Sequence, residues 1–189
     1  AKKCLLTSAD YPHTLSCHVR DPKVFKENGK HYMVLGARTK DDVGCVLLYE
    51  AEDKEHFRFK QYITSEKPFG YMWECPDLFR IDGNLFLSIS PQGIAAEEYQ
   101  YQNVYQSGYY LILGDLEDYT LSPFTEWDMG FDFYAPQSFI DEAGRRILIG
   151  WMGIGDIEYE NPTVAEGWQH TLTVPRELTL DASGDICQN

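Results

Sequence analysis

Positive charge is scarce in this sequence: 16 Lys and Arg stand against 30 Asp and Glu, a formal net charge of −14. Nucleic acids and anionic membranes are gripped through basic patches, so neither is expected as a partner. Long apolar runs are missing as well, and no stretch approaches the roughly 18 consecutive apolar residues of a membrane span. The five cysteines (Cys4, Cys17, Cys45, Cys75, Cys187) form no C-x-x-C pair. That argues against a zinc site or a disulfide framework and fits free thiols in a reducing, cytoplasmic setting. The five histidines show no H-x-x-x-H spacing and no G-x-x-x-x-G-K loop occurs, so neither a metal nor a cofactor is expected. The chain starts AKKCLLTSADYPH, without Met, so the lack of a leader carries no weight.

Helical periodicity is thin, and only residues 52–57 and 95–101 read as short helical turns. Instead, β-like runs recur: HYMVLGAR, GCVLLYEA, LFLSIS, GYYLILGD, RILIGWMG and HTLTVPREL. Clusters of Gly, Asp, Asn and Pro separate them, the punctuation of an all-β protein. Aromatics make up 14% and Tyr alone occurs 13 times; such residues favour pleated sheets, and their flat faces also suit sugar rings.

A weak repeat underlies these runs. Pro22-Lys23-Val24-Phe25 precedes Gly29, Pro76-Asp77-Leu78-Phe79 precedes Gly83, and Pro136-Gln137-Ser138-Phe139 precedes Gly144. Pro175-Arg176-Glu177-Leu178, with Gly184 behind it, begins a fourth copy. Units of roughly 40–50 residues with several strands each indicate a β-propeller. Each P-x-x-F is expected to open an innermost strand and each Gly to turn the following hairpin. The residues before the prolines, Arg20-Asp21, Glu74-Cys75, Tyr134-Ala135 and Val174, then gather at one end of a funnel. A buried, unpaired carboxylate costs several kcal/mol, so Glu74, set between Trp73 and Cys75, needs a reason to be there. Taken singly, an Asp-Pro is a turn signal; its recurrence in one setting is what suggests a pocket.

The segments HVRDPKVF (18–25), YMWECPDLF (71–79), FDFYAPQSF (131–139), GWMG (150–153) and LTVPREL (172–178) resemble glycoside hydrolase family 32, the family of invertases, sucrose-6-phosphate hydrolases and levanases. The resemblance spans the chain, with the motifs in family order. It implies a five-bladed β-propeller, about four blades of it in this chain, and the release of fructose from sucrose, sucrose-6-phosphate or a fructan with retention of configuration. It makes Glu74 the general acid and then base, and Asp21 the transition-state stabiliser. Arg20 orients the carboxylates and contributes to sugar binding. A retaining glycosidase needs two carboxylates about 5–5.5 Å apart, one as nucleophile and one as proton donor. A donor keeps its proton near neutral pH through apolar walls and neighbouring negative charge, which Trp73 and Cys75 are suited to supply. An ionised Asp21 beside Arg20 suits electrostatic stabilisation of an oxocarbenium-like state.

The family nucleophile lies in an N-D-P-N-G motif, which this sequence lacks. Residues 1–189 are therefore expected to be a partial catalytic propeller domain, without the first blade and the C-terminal β-sandwich. Alone it would be inactive and prone to self-association through open sheet edges. Further substrate contacts are expected from Trp73, Asp132, Tyr134 and Trp151, with Tyr134 hydrogen-bonding an acidic side chain; packing remains the alternative for Trp151. Trp127 and Trp168 read as structural, and Arg176–Glu177 as a buried ion pair tying blades together. Two other readings remain open: a five-bladed glycosidase acting on arabinan or xylan, and a non-catalytic sugar-binding propeller.

Overall fold

A computed structural model describes residues 2–130 and 132–189; Phe131, at the head of the FDFYAPQSF segment, lies outside them. The described residues form three antiparallel sheets. The first runs β1 (Leu15–Glu27), β2 (Lys30–Thr39), β3 (Gly44–Ala51), β4 (Arg58–Ile63) in spatial order. The second runs β5 (Met72–Ile81), β6 (Asn84–Gln92), β7 (Gly108–Gly114), β8 (Tyr119–Leu121), and β9 (Thr125–Glu126) pairs with β7. The third contains β10 (Tyr134–Ile140), β11 (Arg146–Met152), β13 (Arg176–Leu180) and β14 (Ile186–Gln188), with the short β12 (Thr171–Leu172) also on β11. Two compact units result, Ala1–Pro76 with Pro91–Gly93, and Asp77–Ser90 with Ile94–Asn189.

The all-β expectation and the hairpin glycines are realised. Asn28-Gly29 and Asp82-Gly83 both have positive φ, as a tight two-residue hairpin turn requires. They close β1 onto β2, where Glu27 faces Lys30, and β5 onto β6. The first three P-x-x-F segments each open a sheet, and in each the residue before the proline is left-handed: Asp21 (φ 60°), Cys75 (φ 48°) and Ala135 (φ 49°). Register shifts between Arg20 and Lys23, and between Tyr134 and Gln137, mark bulges at two of them. A bulge re-aims the side chains of the strand that carries it.

The fourth copy behaves differently. Val174 is not among the left-handed residues, and β13, which follows Pro175, is a middle strand of the third sheet, paired with β11. Three sheets therefore account for the four sequence repeats. Pro175 has no N–H to give a ladder and splits the expected run HTLTVPREL into β12 and β13. Neither expected helical turn forms. Asp53 takes the backbone N–H groups of Glu55 and His56 at 2.8 Å, the side-chain competition that holds such residues out of helices. The Gln102 amide donates to the carbonyls of Glu97 and Gln100.

Alternation builds the core of the first unit. Met33, Leu35 and Ala37 on β2 pack with Cys45, Leu47 and Tyr49 on β3, joined by Leu15 and Phe57. The opposite face is buried too, through Val34, Val46 and Leu48. On that face Trp73 fits against two glycines: a Cβ at Gly36 would stand 2.2 Å from the Trp73 carbonyl oxygen, and one at Gly44 would stand 2.4 Å from its ring. Gly36→Ala, where the obstacle is backbone, should cost about 1–3 kcal/mol, read as a lowered urea midpoint at unchanged m-value. In the second unit Phe79, Phe86, Tyr109, Trp127, Phe133, Leu148 and Leu178 form the core.

Candidate active site

The first unit brings together Arg20 and Asp21 from β1, Glu74 and Cys75 from β5, and Gln92 from the end of β6. The Arg20 Nε donates to Glu74 Oε1 at 2.7 Å, and the Gln92 Nε2 donates to Glu74 Oε2 at 2.9 Å. The Glu74 side chain is only 15% exposed against 38% for Arg20, so the carboxyl group is largely desolvated. Bonds of this kind to a charged group are short and about twice as strong as neutral ones. Asp21 Oδ2 accepts from the Cys75 backbone N–H at 3.0 Å and from the Cys75 thiol at 3.5 Å. The two strands are thus linked twice, each carboxylate bonded to the other strand.

The left-handed residues explain how this happens. Side chains of consecutive strand residues ordinarily point to opposite faces. The bulge at Asp21 interrupts that alternation, so Arg20 and Asp21 both reach β5. Left-handed backbone at non-glycine residues costs on the order of 1–3 kcal/mol and persists where its surroundings fix it; the bond from the Cys75 N–H to Asp21 is such a constraint.

Burial, followed by the charge of Asp21, pushes the Cys75 thiol well above its ordinary range, and burial pushes Cys45 up to about 12. Cys75 therefore stays S–H at neutral pH, a donor and not a nucleophile. Iodoacetamide at pH 8 should label the exposed Cys4 and Cys17 roughly tenfold or more faster than Cys75, because reaction follows the thiolate fraction. Peptide mass spectrometry checks this, and early labelling of Cys75 would contradict it.

The other sequence candidates fare variously. Trp73 is corrected: it is fully buried, with Nε1 donating to the Phe69 carbonyl at 2.6 Å, so its indole offers no face to a sugar. Strand alternation is the reason, since it turns Trp73 away from its neighbour Glu74. Tyr134, in the second unit, is buried beside Tyr105 and donates its hydroxyl to the Ser90 carbonyl at 3.2 Å. Asp132, left-handed at φ 62°, accepts from the Tyr159 hydroxyl at 2.6 Å. Trp151 is half-buried, edge-on to His170 with ring centroids 5.0 Å apart. Trp127 is buried and donates to Ser88 Oγ, but Trp168 is 55% exposed. Arg176 does not pair with Glu177, its neighbour on the strand, which alternation sends to the other face. Its half-buried guanidinium holds Asp128 at 2.7 Å and lies over Phe133.

Gln92 is the site residue that sequence reasoning missed. The available signal was small: a polar residue after Pro91 at the close of the apolar run LFLSIS.

Residues 2–189 match the family described as glycosyl hydrolases family 32, N-terminal domain. This chain belongs to glycoside hydrolase family 32. The N-terminal domain of family 32 is a β-propeller, consistent with the antiparallel sheets found here. Among its relatives, the chain is 46% identical over 188 residues to the sucrose-6-phosphate hydrolase of Bacillus subtilis, matching 95% of this chain and 39% of that protein. The structure of the sucrose-6-phosphate hydrolase from Lactobacillus gasseri superposes with a TM-score of 0.85 at 32% identity, covering 95% of this chain and 38% of that one. A mutant of a Bombyx mori family 32 β-fructofuranosidase, solved in complex with sucrose, gives 0.82 at 36% identity, covering 92% and 37%. The chain thus spans well under half the length of the family 32 proteins it matches.

Proposed function

We propose that the protein hydrolyses β-fructofuranosides with retention of configuration, and that this chain supplies its acid/base and its transition-state stabiliser. The observation that carries the proposal is the joining of Arg20, Asp21 and Glu74 from two strands in a family 32 chain. Glu74, protonated, gives its proton to the glycosidic oxygen as the bond to the anomeric carbon breaks and the other sugar departs. As carboxylate it then takes a proton from the water that attacks that carbon, and returns to its starting form. Asp21 stays negative beside the oxocarbenium-like centre and holds fructosyl hydroxyls. Arg20 fixes the Glu74 carboxyl. The covalent step needs a nucleophilic carboxylate besides these two, and the sequence has no N-D-P-N-G stretch. The activity is accordingly proposed for the protein as a whole.

Sucrose and sucrose-6-phosphate are the favoured substrates, on the strength of the relatives' names. Initial rates of the full natural protein on sucrose, sucrose-6-phosphate and inulin, with proton NMR of the first fructose formed, test this. Faster turnover of a disaccharide with the β-anomer appearing first is expected. Equal rates on long fructans would overturn the preference for small substrates, and inversion would overturn the mechanism.

A further inference from the structure

Glu74 has two oxygens held by unlike groups. Oε1 faces the guanidinium of Arg20, which only donates hydrogen bonds and keeps its charge at any working pH. Oε2 faces the side-chain amide of Gln92, which carries a donor at one end and an acceptor at the other. A proton on Oε1 would point a hydrogen at a donor-only cation. A proton on Oε2 can be met by the Gln92 carbonyl once the amide turns over, and its loss can be met by the amide N–H. We propose that Gln92 is the positioning residue that assigns the transferable proton of Glu74 to Oε2 and accommodates Glu74 both as acid and as base. This rests on the reading of Glu74 as the acid/base.

Gln92 is seated firmly enough for that role. Its carbonyl accepts from the Tyr71 N–H at 2.9 Å, and Pro91 fixes the backbone before it. Gly93 behind it is left-handed at φ 84°, and a Cβ there would stand 2.3 Å from the Tyr71 ring. The Arg38 guanidinium covers that ring 4.7 Å from its centre. The charged and titratable groups beside Glu74 include Arg20 and Cys75, with Asp21 bonded to Cys75. His18 stands behind Arg20, its Nδ1 3.3 Å from the guanidinium. Arg20 supplies Glu74 with a bond from a cation, and Gln92 supplies one from an uncharged group.

The test is the pH dependence of kcat/KM of the full natural protein on sucrose, for Gln92→Lys, Gln92→Glu and Gln92→Met. A general acid works only while protonated, so kcat/KM falls as the pH rises past its titration. Gln92→Lys adds a donor-only cation that favours the ionised carboxylate, and the alkaline limb should move down by roughly one pH unit or more. Gln92→Glu adds a like charge, and the limb should move up by a similar amount. Gln92→Met keeps the length but neither hydrogen-bonding end, and should lower kcat about tenfold with a smaller loss on an aryl fructoside, whose leaving group needs little protonation. Lys and Glu variants with profiles parallel to the parent, merely scaled, would overturn the assignment and leave Gln92 a structural contact. Should Gln92→Lys fail to fold by circular dichroism, the near-isosteric Gln92→Glu decides alone. Failure here with an inactive Glu74→Gln refutes only the role of Gln92, whereas an active Glu74→Gln refutes the reading beneath it.

Discussion

Replacing Glu74 by Gln in the full natural protein should lower kcat on sucrose by about 10²- to 10⁴-fold, the usual loss when a positioned proton donor is removed. The substitution is nearly isosteric. Its amide oxygen can still accept from Arg20, and its amide nitrogen can donate to the carbonyl end of Gln92, so the fold should persist. KM should change little, because the lost interaction is made chiefly in the transition state. The deficit should shrink on an aryl fructoside, where bond cleavage needs less proton donation. A variant within tenfold of the parent on sucrose would remove Glu74 from the chemistry. Retained sugar binding with no turnover even in the parent protein would favour the sugar-binding propeller instead.

The second large effect concerns stability and lies at Asp77, the last residue of E-C-P-D. Asp77 is 1% exposed, and its Oδ2 accepts from both the backbone N–H and the hydroxyl of Ser138, each at 2.7 Å. The Ser138 hydroxyl in turn accepts from Arg146 at 2.9 Å, and the Arg146 guanidinium lies over the Phe79 ring. Burial holds the Arg146 guanidinium below its ordinary range, while the charge of Asp77 opposes that effect. Asp77→Ala would strand the Ser138 N–H and hydroxyl and take away the negative charge that acts on the half-buried Arg146. Removing one partner from such a network costs roughly 3–5 kcal/mol, enough to unfold many domains of ordinary stability. Urea denaturation should show this as a sharply lowered midpoint, with Asp77→Asn milder because it keeps an acceptor. A loss under about 1 kcal/mol would mean that the network behaves like a surface ion pair.

How much of this could be read from the letters depended on whether meaning lay in local spacing. The hairpins at Asn28-Gly29 and Asp82-Gly83 were legible because a tight turn needs those residue types. Arg20-Asp21 and Glu74 were legible because the same proline-led setting recurs around them. Pro175 looked like a fourth repeat because the letters do not show that Val174 lacks the left-handed turn made by Asp21, Cys75 and Ala135. Trp73 misled through adjacency: neighbours along a strand face opposite ways, so standing beside Glu74 argued for the core. The same alternation separates Arg176 from Glu177 and frees Arg176 for Asp128, 48 positions away. Gln92 reaches Glu74 because β6 ends where it does and Gly93 turns against Tyr71, a long-range outcome of which Pro91-Gln92 at the close of LFLSIS is only a faint local sign. Asp77 carries a motif position yet serves the core, and nothing in E-C-P-D distinguishes it from a catalytic acid.

The central claim is that Asp21 and Glu74, held by Arg20 and Cys75 across two strands, serve one fructosyl ring. The most direct measurement is a crystal structure of the full natural protein carrying Glu74→Gln, soaked with sucrose. The fructosyl hydroxyls should lie on the Asp21 carboxylate, with the glycosidic oxygen within hydrogen-bond reach of the side chain at position 74. Sucrose bound elsewhere, with Asp21 touching only Cys75 and position 74 only Arg20 and Gln92, would contradict it.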